Sequence, residues 1–255
     1  MAGTEKERFE ALFYPGTKTL INNLGIRDAD QLAQVEKSIT AAATYDLLKL
    51  NPVKGGFDLE HMQEIHRRLM GEVYPWAGQV RDFPLFKKRP DGFTTEFSRP
   101  EEIEVLNQKL QAIASATEGF SRIPSGRYVS TIAETYQLAN EMHPFREGNG
   151  RTQRIFLSYL AEKAGYDLRY SAVAPEAWNY AASMSARMNI GNGERIPGRT
   201  VELEKVFTHI SQPLRPMNAY QQGREGLSSN QSQVLTLAEL APNFRPSYSS
   251  SRRLR

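Results

Sequence analysis

The stretch HPFREGNGRTQR, His143–Arg154, constrains the fold of this chain more than any other. Apolar residues recur at helical spacing on both sides of it: Val129, Ile132, Tyr136 and Ala139 before, Ile155, Phe156, Tyr159 and Leu160 after. Pro144 cannot continue the first helix, because its ring blocks the helical hydrogen bond. Gly148 and Gly150 suit a tight turn that side chains would obstruct. The spacing therefore predicts a helix over Tyr128–Met142, a short loop, and a helix that resumes at Gly150 or Arg151. This second helix runs to Ala164, with Gly165 as its stop.

A glycine-bearing loop that feeds a helix N-terminus is suited to an anion. Free N–H groups and the helix dipole both favour negative charge there. Gly148, Asn149 and Gly150 supply such a loop, with the Asn149 side chain as a further donor. Arg151 and Arg154 are three apart on the new helix and would follow a polyphosphate outward. Glu147 would repel phosphate unless a cation lay between them, and Mg²⁺ binds in that way. His143 stands at the mouth with an ordinary, near-neutral pKa, suited to a general base. The set describes phosphate-group transfer from a nucleoside triphosphate to a hydroxyl. No Walker-type Gly-x-x-x-x-Gly-Lys-[Ser/Thr] loop occurs.

The rest of the chain reads as helical to about residue 210. Helices are expected over Asp28–Leu50, over Asp58–Tyr74 with Asp58 as N-cap, and from Pro100 through Ile113. Two more are expected over Pro175–Met188 and Arg199–Ile210. Trp76–Phe97 breaks the pattern, with two short aromatic runs around Arg89-Pro90-Asp91-Gly92; it reads as a β-hairpin. The expected fold is therefore all-α with a small hairpin. One domain covers 1–210, and a basic Ser/Gln/Arg-rich tail, 211–255, is expected to be largely disordered, with one short helix near Leu235–Leu240.

Composition excludes several classes. The net charge of +3 is too small for a polybasic nucleic-acid binder. With no cysteine, disulfide frameworks and thiolate sites are impossible. No long apolar run or signal peptide is visible, so neither a membrane span nor nucleic acid is expected. His61 and His66, five apart, do not share a helix face and read as packed rings, not a zinc pair. His209 reads as a partner of a helix C-terminus, and Trp178 and Tyr180 as core. Lys87, Lys88 and Arg89 read as solvated charge at the hairpin tip, or as a means of steering an acidic target.

HPFREGNGRTQR also resembles the signature of Fic-domain proteins, His-Pro-Phe-x-[Asp/Glu]-Gly-Asn-[Gly/Lys]-Arg-x-x-Arg, with every defining position filled. YPGTKTLINNLGI, FDLEHMQEIHRRLMGEVYPWAG and AGYDL extend the likeness over about residues 10–210, most closely to Fic toxins and bacterial effectors. The resemblance implies roles. His143 would deprotonate a target hydroxyl, Phe145 would anchor the loop, and Glu147 would hold Mg²⁺ against the α- and β-phosphates. Gly148, Asn149 and Gly150 would form the anion hole, with Arg151 at the β-phosphate and Arg154 at the γ-phosphate. The reaction implied is transfer of AMP from ATP to a Ser, Thr or Tyr hydroxyl of a target protein, with release of pyrophosphate. Gly150, where a phosphoryl-transferring branch has lysine, favours adenylylation; uridylylation and a non-catalytic interaction module are the alternatives. The hairpin Val80–Phe97 resembles the family's target-clamping flap, with Phe93, Thr94 and Thr95 as docking residues, and Asn179 is a candidate for the adenine pocket.

Many relatives carry an inhibitory [Ser/Thr]-x-x-x-Glu-[Gly/Asn] helix. Every Glu-Gly pair here fails that pattern, because Ala114, His143 and Gln221 stand where Ser or Thr is needed. A separate small antitoxin supplying the glutamate is therefore expected. The protein is expected to be a bacterial cytoplasmic toxin, or else an effector whose basic tail serves type IV secretion.

Overall fold

The computed structural model describes residues 4–89, 91–190, 194–214 and 233–245. It is mainly helical, in the order α1 (Glu5–Glu10), α2 (Ala29–Tyr45), α3 (Leu59–Met70), α4 (Ile103–Ala116), α5 (Tyr128–Met142), α6 (Asn149–Lys163), α7 (Pro175–Ser185), α8 (Val201–Ile210) and α9 (Leu237–Leu240). Local chemistry accounts for the boundaries. Asp28 and Asp58 accept hydrogen bonds from Gln31 and His61 N–H groups and so cap α2 and α3. Pro100 opens a short 3₁₀ turn that leads into α4. Gly165, at φ +84°, ends α6. α2 stops five residues before the expected end and widens into a π-helical turn, Asp46–Leu50. α3 stops at Met70 rather than Tyr74, and α7 at Ser185 rather than Met188.

α5 and α6 form the centre. α4 and α8 pack on α5, α3 packs on α6, and α7 lies against α5 and α8. Tyr136, Phe145, Phe156 and Phe207 are fully buried among them, with Phe57 and Phe120 edge-on at one end. The sequence repeats predict these faces because one apolar stripe per helix must find a partner stripe.

The hairpin is real but is not alone. β1 (Phe86–Lys88) pairs antiparallel with β2 (Thr94–Glu96). β2 also pairs with β4 (Met188–Asn189), which pairs with β5 (Arg195–Ile196). The order is β1-β2-β4-β5, so β2 is interior and β1 is an edge. A second two-stranded sheet joins β3 (Tyr166–Leu168) to β6 (Ser211–Pro213). Sequence gave no sign of β3–β6, because strands of two or three residues are too short to show a period.

Ion pairs tie the four-stranded sheet together and, through Arg187 and Arg195, to the helices. Arg195 Nη2 lies 2.8 Å from buried Glu96, and Arg187 binds Glu102 through both nitrogens at 3.1 and 3.0 Å and Glu141 at 2.7 Å. Arg81 is 4% exposed, and its guanidinium donates to the Phe83, Ser98, Met142 and His143 carbonyls. That arginine fastens the strand region to the C-terminus of α5.

Part of the expected disordered tail belongs to the body. β6 continues directly from α8, and Leu235 forms a parallel bridge with Val173. Thr236 caps α9, the short helix expected near Leu235–Leu240; Leu240 is 2% exposed and Phe244 packs on Tyr180. His209 Nε2 donates to the Gln233 carbonyl, so it ties this segment down rather than simply facing a helix end. The remainder of the tail lies outside the described residues. Leu240→Ala should therefore cost about 2–5 kcal/mol in urea unfolding, as for other buried leucines. An unchanged midpoint would show that residues 233–245 do not contribute to the fold.

Candidate active site

The motif forms the joint between α5 and α6. His143 ends α5 in the left-handed region, φ 40° and ψ 57°, a conformation seldom adopted by a residue with a side chain. Arg81 holds the His143 carbonyl at 2.8 Å, and Pro144 leads the chain away. Phe145 is fully buried and anchors the loop, as the resemblance implies. Gly148 takes φ +78°. A Cβ there would meet Met70 Cγ and Sδ at 3.1 Å and His66 Nε2 at 3.2 Å, so both the backbone angle and the crowding favour glycine.

Asn149 departs from expectation. Its side chain does not face an anion. It is 3% exposed, and it closes the loop by accepting from Phe145 N–H at 2.9 Å and donating to Phe145 C=O at 2.6 Å. What it offers an anion is its backbone N–H. The helix begins at Asn149, one residue before the expected start, so the N–H groups of Asn149 and Gly150 have no intrahelical acceptor. A Cβ on Gly150 would touch only Arg154 Nη1, at 3.9 Å. The glycine thus leaves open space beside the arginine rather than relieving a clash.

The two arginines diverge. Arg151 turns toward α2, donating to Thr40 Oγ1 at 3.0 Å and to Glu36 at 2.5 Å. Glu36 also accepts from the Tyr74 hydroxyl. Burial and the Glu36 carboxylate push the Tyr74 phenol well above its usual pKa, so it stays protonated as the donor. Arg154 makes no ion pair among the described residues and lines the cleft. Its backbone carbonyl accepts from the Tyr170 hydroxyl at 3.1 Å.

The cleft holds 490 Å³ and contains Glu147 through Arg151, Arg154 and His143. A second cavity of 390 Å³ adjoins it under the hairpin, against α7. Lys87, Phe97, Asn140, His143, Asn179 and Ala182 line both, so His143 stands where they meet. A larger depression of 1050 Å³ beside α3 and α4 contains none of the motif residues.

The His143 ring stacks on Phe97 with centroids 3.6 Å apart. Its Nδ1 lies 3.3 Å from the Asn140 carbonyl, which can only accept. Nδ1 therefore carries the hydrogen and Nε2 keeps its lone pair. The expectation of a near-neutral pKa is corrected. Burial, then the charges of Arg81 and Lys87, push the imidazole down to about 3. Burial also lowers His66 to about 4, and lowers His61.

Glu147 is exposed, and Arg146 Nη1 holds its carboxylate at 3.0 Å. Arg146 is itself packed over the Phe9 and Phe13 rings. No group of three or more acidic or histidine side chains clusters for a metal among the described residues. One carboxylate beside an anion cleft suits Mg²⁺, which takes few protein ligands and fills its octahedron with phosphate and water oxygens.

The flap residues are placed differently from one another. Thr94 and Thr95 lie on β2, paired on both sides, whereas among the described residues the hairpin's open edge is β1, the sheet's other edge being β5. Phe93 is exposed beside the turn. Arg89 is not solvated. It is 5% exposed and is bound to Asp91 and the Ser183 carbonyl; Pro90 lies outside the described residues. Asn179 lies on α7, exposed where its sequence neighbours Trp178 and Tyr180 are buried, and lines both cavities. Sequence reasoning did not assign Glu36, Tyr74 or Arg81 to the site. The only available signal was that the last two fall in or beside the GEVYPWAG segment.

Residues 56–161 match the Fic/DOC family. The Escherichia coli K12 protein named Probable protein adenylyltransferase Fic is 34% identical over 175 residues, 68% of this chain and 82% of that protein. The chain belongs to the Fic/DOC family. Protein adenylyltransferase VbhT of Bartonella schoenbuchensis is 31% identical over 210 residues; the match covers 77% of this chain but only 43% of VbhT. The N-terminal Fic domain of a VirB-translocated Bep effector protein from Bartonella quintana, solved with bound ADP, superposes at TM-score 0.68 with 28% identity, covering 80% of this chain and 96% of that one. The mainly helical fold is thus one that this chain shares with solved Fic domains.

The lowered pKa of His143 has a definite sign. The unfolded imidazole takes up a proton near 6.5 while the folded one resists it, so this group destabilises the fold as pH falls from 6.5 toward 3. The His143 Cε1–H resonance should keep its neutral-imidazole shift at about pH 5, where an unperturbed histidine is protonated. A midpoint near 6.5 would contradict the half-buried, cation-flanked environment.

Proposed function

We propose that this Fic domain transfers AMP from ATP to a hydroxyl of a target protein and releases pyrophosphate. The observation that carries this reading is His143 at the junction of two cavities, one with the anion loop and Arg154, the other against Asn179 and the hairpin. A nucleoside triphosphate laid across that junction would place its α-phosphate beside the imidazole. The names of the E. coli and B. schoenbuchensis relatives, both adenylyltransferases, and the ADP bound in the B. quintana domain support the same reading.

Each residue then has one task. The backbone N–H groups of Asn149 and Gly150 hold phosphate oxygens, and Arg154 binds the far end of the triphosphate. Glu147 would hold Mg²⁺, which when bound offsets phosphate charge. The target hydroxyl attacks the α-phosphorus, and the bond from that phosphorus to the bridging oxygen of the β-phosphate breaks. The hydroxyl proton passes to His143 Nε2, the nitrogen left free by the Asn140 contact. A neutral imidazole is the form able to accept it. Asn179 faces the nucleoside, and the target segment lies along β1, whose edge is unpaired within the sheet and whose Phe86 and Lys88 are exposed. Phe93 flanks that path, while Thr94 and Thr95 support it from the neighbouring strand.

Control belongs to the same proposal. Arg154 makes no ion pair among the described residues, and Glu36 pairs with Arg151 rather than with Arg154. A small separate antitoxin that brings a glutamate to Arg154 would close the site. In that setting the protein acts as a toxin; secretion through a type IV system would make it an effector.

His143→Ala should lower transfer about 10²–10⁴-fold while leaving ATP binding. Arg154→Ala should weaken triphosphate binding by about 1.5–3 kcal/mol. The deciding experiment uses ATP labelled at the α- or the γ-phosphate in bacterial and eukaryotic lysates. Protein bands carrying only the α-label, lost in His143→Ala, are expected. Bands carrying the γ-label would overturn adenylylation in favour of phosphoryl transfer.

A further inference from the structure

His66 lies outside the motif, on α3, and its ring is completely buried. A buried imidazole is costly unless its nitrogens are paired. Both are. Gly78 N–H donates to Nδ1 at 2.7 Å, which fixes Nδ1 as the acceptor. Nε2 therefore carries the hydrogen, and it donates to the Glu147 carbonyl at 2.9 Å. The ring lies flat on Phe145, centroids 3.9 Å apart and planes 13° apart. Its Nε2 also bounds the space at Gly148, where a Cβ would come within 3.2 Å.

A core histidine could be satisfied by any donor and acceptor. This one touches three residues of the active loop and bonds the carbonyl of the proposed metal-binding residue. That carbonyl belongs to the peptide joining Glu147 to Gly148, which has positive φ. The orientation of that peptide plane sets where the Glu147 side chain leaves the backbone. It also sets the direction of the Gly148 N–H at the entrance to the anion loop. The stack continues outward: Trp76 packs on His66 at 6.0 Å and Tyr74 on Trp76 at 4.5 Å, and Tyr74 bonds Glu36, the partner of Arg151. Supports for the carboxylate and for the first motif arginine therefore meet in one aromatic column.

We propose that His66 is a positioning residue for nucleotidyl transfer: its Nε2–H holds the Glu147–Gly148 peptide plane and so aims the Glu147 carboxylate at the phosphates. It touches neither nucleotide nor target. The proposal rests on the nucleotidyl-transfer reading above.

Three variants of the full chain separate the roles of the two nitrogens. His66→Gln keeps a donor near the Nε2 position, His66→Asn keeps an acceptor near Nδ1, and His66→Phe keeps only the stacking. ATP affinity is measured by calorimetry with and without Mg²⁺ in a His143→Ala background, and transfer is measured in the native background. His66→Phe and His66→Asn should lose about 10–100-fold of the Mg²⁺-dependent affinity and of the transfer rate, the range seen when an outer partner of a metal ligand is removed. His66→Gln should restore both to within a few-fold, whatever the order of the three melting temperatures. Wild-type Mg²⁺ dependence in His66→Asn, or a His66→Gln variant as impaired as His66→Phe, would overturn the proposal. If His66→Phe does not fold, the Gln–Asn comparison decides alone. If the wild type neither binds ATP nor transfers label, the functional reading is what fails. Amide exchange of residues 147–150 without nucleotide then tests His66 separately: faster exchange in Asn than in Gln supports it, and equal exchange refutes it.

Discussion

The Asn149 side chain closes the active loop by bonding both backbone groups of Phe145, and the rest of the site depends on that closure. A buried amide that satisfies a buried N–H and C=O together leaves neither backbone group an orphan. It also forces the chain to double back over four residues. The doubled-back chain carries Phe145 into the core and brings the N-terminus of α6 to the surface of the cleft. Without that bracket the anion-binding N–H groups would not face the same space as His143.

Two buried side chains from outside the motif hold the closed loop in place. Arg81 gathers carbonyls from the end of α5 and the strand region, which fixes the backbone of His143. His66 gathers Gly78 and Glu147, which fixes the other end of the loop. Both are costly to bury, and both are made tolerable by hydrogen bonds to backbone groups rather than by ion pairing. Desolvation of its own ring keeps His143 neutral, with the Arg81 and Lys87 charges acting in the same direction. Stability and chemistry are linked at Arg81, which holds the loop and also favours the neutral form of its base.

The hairpin is held by a different kind of interaction. Its inner strand is paired on both sides, and the Glu96, Arg195, Glu102, Arg187 and Glu141 charges fasten it to α4 and α5. A hairpin alone would be marginal in water. Anchored at its base, it can offer β1 as an open edge over the cleft.

The sequence by itself determined the helical core and the joint between α5 and α6. Apolar periodicity, Pro144 and the flanking glycines are local signals, and a local signal survives without knowledge of the fold. It also placed Gly165 at the end of α6, and the family resemblance implied that Phe145 anchors the loop in the core. Only the tertiary structure decided what the loop rests on. Glu36, His66 and Arg81 lie far from the motif in the chain, and nothing in their immediate neighbours distinguishes them from a surface acid, a packed ring and a solvated base. The Asn149 side chain was misassigned for a related reason: an amide can serve an anion or a backbone, and burial alone decides between them. The same holds for residues 233–245. They are polar enough to read as disordered, yet Leu235, Leu240 and Phe244 find an apolar surface on the 172–174 segment, α7 and α8 that exists only once those parts have packed.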